Sequence, residues 1–159
     1  MTGVVLGPLL GLVGCAGGED VTAASIQAAR QRWQRARVQD YDLEWTSSGL
    51  RQSHYVVAVR DGKVRAVEMV QPNGQHTIVR PPEPRFYGVD GLFLVIADEL
   101  AQLGTDRPFG QPKGTKAVLR FTPEPKLGYP LRYRRDVVGA RAPLGIDVVR
   151  LTPNSAPVR

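Results

Sequence analysis

The chain has 159 residues, 42% of them hydrophobic and 23% charged, with a formal net charge of +6 and a single cysteine. That length supports one ordinary core, and the balance excludes both a disordered chain and a protein made of membrane spans. No disulfide can form within the chain, so packing must hold the fold together.

An apolar run begins at Val4 and closes on Leu12-Val13-Gly14-Cys15, with Ala16, Gly17 and Gly18 crowded behind the cysteine. An aliphatic residue, two small or aliphatic residues and a cysteine resemble the lipobox of bacterial lipoproteins. The resemblance implies a signal peptide at 1–14 and lipid on Cys15, which becomes the first mature residue. It implies a lipid-anchored, extracytoplasmic place in the cell envelope, with the membrane reached through that lipid. Ala16 in place of aspartate implies the outer membrane where the organism has one. No Lys or Arg precedes Cys15, so the whole charge excess stays with the mature chain. Residues 15–21 read as a small, acidic tether.

Asp20, Thr22 and Ser25 are candidate helix caps. Ile26, Ala29, Trp33 and Ala36 then recur at spacings of three and four, one face of an amphipathic helix. Arg30, Arg32, Arg35 and Arg37 share this helix, spread over several directions as a solvated coat. At Asp40 the period changes to two. Tyr41, Leu43 and Trp45 alternate with Asp42 and Glu44 as a half-buried strand ending at Thr46-Ser47-Ser48-Gly49.

The clearest hairpin runs from Tyr55 through Asp61-Gly62 to Val70. Asp-Gly suits a type I′ turn, in which both central residues take positive φ. That turn predicts Val59 opposite Val64 and Val57 opposite Ala66, with Val67 on the other face beside Arg60, Lys63 and Arg65. His76 to Val79 is a short further strand, and Pro81-Pro82-Glu83-Pro84 is a rigid connector. A second, more apolar helix follows with Asp90 as its cap, carrying Val89, Leu92, Phe93, Ile96, Leu100 and Leu103. Gly104 is its expected left-handed end. Strands are predicted at Ala117–Phe121, Tyr129–Arg135 and Gly145–Leu151. The order predicts one α+β domain over 22–151, an antiparallel sheet of about five to seven strands with two helices on one face. The tail at 152–159 reads as frayed. Helix followed by strands occurs twice, which suggests an internal duplication.

Several of these elements resemble a family of bacterial lipoproteins and secreted proteins that share a domain of unknown function. They are the Trp33 helix running into Tyr41, Val57-x-Val59-x-Asp61-Gly62-x-Val64, and Val89-Asp90-Gly91-Leu92-Phe93. Gly128-Tyr129-Pro130 and Asp147 complete the set. Relatives often carry cysteines after the first strand; Ser47, Ser48 and Gly49 stand here, which leaves a disulfide or metal role for that loop unsupported. The resemblance implies location and topology, and no activity.

Chemistry-bearing motifs are sparse. His54 and His76 lack metal-ligand spacing, and there is no Gly-x-Ser-x-Gly turn or phosphate-cradling loop. No catalytic, metal or cofactor residue is predicted. Ser53-His54 with Asp61 or Asp136 is the one drawable triad, and an envelope hydrolase built on His54 is the alternative reading. The reading preferred is a non-enzymatic binding or interaction module. Its candidate surface is Arg132, Arg134 and Arg135 beside Tyr129 and Tyr133, presented to an anionic envelope polymer or a protein partner. Nucleic acid is not expected as a partner of an envelope protein.

Overall fold

The computed structural model describes residues 18–49, 51–140 and 143–154. The helix α1 (Ala23–Ala36) starts at Thr22, one of the three candidate caps. The Thr22 Oγ1 accepts the Ser25 N–H and the Ser25 Oγ accepts the Thr22 N–H, each at 3.0 Å. This reciprocal box satisfies two donors that the first turn leaves unpaired. Ahead of it lies β1 (Glu19–Asp20), and the strands β2 (Tyr41–Ser48), β3 (Ser53–Arg60), β4 (Lys63–Val70) and β5 (His76–Val79) follow. After a 3-10 turn at Pro84–Tyr87 come α2 (Val89–Leu103), β6 (Ala117–Pro123), β7 (Pro130–Val137) and β8 (Leu144–Pro153).

All eight strands join one antiparallel sheet in the order β1-β6-β7-β8-β2-β3-β4-β5, with α1 and α2 on one face. The α+β class stands as expected, with more strands than the five to seven anticipated. The added strand is β1: the end of the expected tether pairs Glu19 with Phe121 and Asp20 with Arg120. Val21 is then buried, its N–H bonded to the Leu119 carbonyl. The frayed tail is also corrected at its start. Thr152 and Pro153 belong to β8 opposite Asp42 and Tyr41, and the Asn154 N–H reaches the Asp40 carbonyl at 2.8 Å.

At the Asp61-Gly62 turn both φ angles are positive, +52° and +68°. Arg60 faces Lys63 and Val59 faces Val64, and then the register shifts, so that Val57 pairs with Val67 instead of Ala66. Strict alternation would turn Val67 to solvent. A bulge at Arg65 returns it to the core, where it is 2% exposed. Burying valine rather than alanine is the gain that favours the extra residue.

The second helix differs from expectation at both ends. Its cap is Gly88, with Asp90 inside the first turn, and Gly104 has φ −79° rather than a left-handed value. With no capping side chain, the Val89 N–H donates to the buried Tyr41 hydroxyl at 3.0 Å. The apolar faces of both helices meet the sheet as the spacing predicts: Ile26, Ala29 and Trp33 from α1, and Val89, Leu92, Phe93 and Ile96 from α2. The strands give Leu43, Val57, Phe121 and Tyr133 to the same core.

The sheet does not carry the suggested duplication in its simplest form. Three antiparallel steps separate β6 from β2, so the two strands that follow the helices run in opposite directions. Both three-strand runs nevertheless advance the same way across the sheet under helices on the same face. No rotation superposes one on the other.

Candidate functional site

The three predicted arginines all stand on β7, between β6 and β8 in the sheet. On the face left open by the helices, Arg132 and Arg134 share one carboxylate, Asp147, at 2.9 and 2.6 Å. Arg134 is built into the sheet as well, donating to the carbonyls of Tyr133 and Ile146 at 2.8 and 3.1 Å. Among the described residues Arg132 has Asp147 as its one ion-pair partner, and it is 57% exposed. Arg135 falls on the opposite, helix-covered face. Its guanidinium pairs with Glu99 of α2 at 3.0 Å and stacks 4.3 Å over the Phe109 ring.

The predicted trio is therefore not one surface. Tyr133, expected as an aromatic platform, is wholly buried and donates its hydroxyl to Glu99 at 2.5 Å. Burial, then the bond and charge of Glu99, push its pKa upward, with Arg135 opposing. Tyr129 packs edge-on against Trp33, with ring centres 6.4 Å apart.

A cleft of about 860 Å³ has Arg132, Arg134 and Arg32 of α1 in its lining, with Glu19 and Asp147 as its carboxylates. Arg32 is the member that the sequence reading missed. Gly128, at φ +84°, holds the β6–β7 turn against α1 so closely that a Cβ there would lie 2.4 Å from the Ala29 carbonyl oxygen. That approach brings the base of Arg32 to the rim. Between Ala23 and Arg37 the sequence has no acidic residue. Arg30, Arg32, Arg35 and Arg37 form no ion pair among the described residues. The Nε atoms of Arg30 and Arg32 are shielded from water with no hydrogen-bond partner. The uncompensated charge thus sits on α1 and continues into the cleft. Four arginines within eight residues, with no carboxylate among them, were its signal in the sequence.

Elsewhere on the open face several charges are paired. His54 Nε2 lies 2.8 Å from Glu44, which also takes Arg150 at 3.2 Å, and Arg60 pairs with Asp42 at 2.8 Å. His76 meets Glu68 at 2.8 Å. The drawable triad is not assembled. Ser53 is the neighbour of His54 in β3 and so turns to the other face. Asp61 lies seven residues along the strand, about 23 Å away, and Asp136 lies three strands across and four residues further along, about 20 Å away. The partner of His54 is Glu44 instead. Cys15 and the segment 1–17 lie outside the described residues.

The fold and site define an α+β domain with one covered and one open sheet face and a basic cleft at the α1 side. No family model matches the chain, and no curated protein or solved structure matches it.

Proposed function

We propose that the chain is a lipid-anchored protein of the bacterial cell envelope that works as a binding module. Its partner is the anionic envelope surface, met by the cleft of Arg32, Arg132 and Arg134. The observation that carries this reading is the convergence of three arginines on a cleft whose carboxylates are fewer, beside a helix of unpaired arginines. The lipobox supports the location. Gly18 and Glu19 line the cleft, and Cys15 stands only three residues before Gly18. Extended, three residues span about 10 Å. Lipid on Cys15 would hold the cleft within about one Debye length of the headgroups, where their potential is felt. Acyl chains and a basic patch are the two signals that together make anchoring firm.

The test separates the two signals. The native chain incorporates labelled fatty acid and the Cys15→Ser variant does not; labelling of both, or of neither, ends the anchor reading. The Cys15→Ser chain sediments with phosphatidylglycerol vesicles at low salt and is released as salt rises. Arg32→Gln with Arg132→Gln removes most of that binding while the melting midpoint stays in place. Equal sedimentation with pure phosphatidylcholine, or no effect of the double change, refutes the cleft as the contact surface.

A further inference from the structure

A second cavity, of about 390 Å³, lies on the helix-covered face between α2, the 3-10 turn and the ends of β2, β3 and β8. Its walls are Trp45, Tyr55, Tyr87, Leu92, Val95 and Ile146. Trp45 and Tyr55 stand 4.8 Å apart, and Tyr55 and Tyr87 meet edge-on at 5.1 Å. The Trp45 Nε1 already donates to the Tyr87 carbonyl at 3.1 Å, so the indole offers the cavity only its apolar surface. Two charged groups reach the lining. Glu99 is neutralised by Arg135 at 3.0 Å and by the Tyr133 hydroxyl. Arg51 is exposed and forms no ion pair among the described residues.

We infer that this cavity binds a small amphiphile with an apolar body and an anionic head. The size falls within the usual range for small-molecule pockets. An aromatic and aliphatic wall whose indole N–H is already bonded rewards an apolar body. The unbalanced charge of the lining is the single cation Arg51, and Ser47 adds a hydroxyl on the same face of β2 as Trp45. A carboxylate or phosphate there gains a charge-assisted contact, and an ammonium group does not. The arginine cleft, lined by α1, β1 and β6–β8, is a separate surface, and neither site depends on the other.

Dodecanoate is the probe, titrated into the full chain by calorimetry below its micelle concentration, with dodecylammonium as the control of equal tail. One-to-one saturable binding of dodecanoate is expected, with dodecylammonium about ten-fold weaker or worse. Arg51→Glu, an exposed change, reverses that preference. The chain has two tryptophans, and Trp33 packs between Tyr41 and Tyr129. In Trp33→Phe the remaining Trp45 emission therefore reports the cavity, and it shifts with bound dodecanoate. If that variant does not fold, Val95→Phe in the native background serves, filling the cavity and abolishing the calorimetric signal. Absence of saturable binding, equal affinity for both head groups, or an unmoved preference in Arg51→Glu overturns the inference.

Discussion

Glu99 shows how much one buried carboxylate can organise. It is 9% exposed, the one charged residue that is buried among the described residues, and both its oxygens are engaged, one by the Tyr133 hydroxyl and one by Arg135. The contacts tie α2 to β7 across the core. Removing the carboxylate leaves a cation and a hydroxyl without their acceptor, which costs more than the pair contributes. Glu99→Ala is expected to destabilise the domain by about 2–3 kcal/mol, measured by urea unfolding. Tyr133→Phe should cost less, since Arg135 still holds the carboxylate. A Glu99→Ala chain as stable as the native one would show that the triad is not a structural tie.

At the scale of elements, the β3–β4 hairpin is fastened at its tip. The Asp61 N–H donates to Asp40 at 2.7 Å and the Gly62 N–H to the Gln39 carbonyl at 3.0 Å. No atom lies within 4 Å of a Cβ built on Gly62, so a side chain there meets backbone strain and nothing else. Gly62→Val should therefore lower stability by about 1 kcal/mol or more, and Gly62→Asn, which tolerates positive φ, by less. Equal melting midpoints for the two would remove the turn assignment. The start of α2 is constrained differently. A Cβ on Gly91 would lie 2.2 Å from the Arg85 carbonyl oxygen, inside the 3-10 turn that precedes the helix. Gly91→Ala must push that turn away and should disturb Tyr87, which lines the apolar cavity.

Across the whole molecule, stability should fall toward both ends of the pH scale. Burial pushes the Tyr41 hydroxyl up from 10.0 to about 12, the Val89 N–H opposing and Asp90 assisting. A raised folded pKa contributes stability fully below pH 10, and the contribution is lost as pH rises through about 12. The upward shift of Tyr133 acts in the same direction. On the acid side, burial alone would raise the Asp42 carboxyl. Hydrogen bonds from Asn154 and Arg60, with the charges of Arg60 and Arg150, outweigh it and hold the pKa below 3.8. Its contribution is present above the ordinary value and is lost as pH falls through the depressed one. Melting midpoints against pH should show both limbs, with Tyr41→Phe flattening the alkaline limb and Asp42→Asn the acid limb. An unchanged alkaline limb in Tyr41→Phe would place the loss elsewhere.

Periodicity by itself determined both helices, seven of the eight strands and the apolar faces that meet in the core, because a chain can bury only what its local period places on one side. It also determined the positive φ of the Asp-Gly turn, a demand satisfied within two residues. The tertiary structure alone decided the rest. Pairing with Phe121 made a strand of Glu19–Asp20, and the bulge at Arg65 exchanged Val67 for Ala66 in the core. The partner each arginine took was decided in the same way. Arg132 and Arg134 follow simple alternation on β7, yet their shared Asp147 arrives on another strand, and Arg135 meets a carboxylate on α2 distant in sequence. Arg32 reaches the cleft only because Gly128 lets a distant turn close on α1. Such contacts join residues far apart in the chain, and neither spacing nor composition encodes which distant side chain will supply the charge.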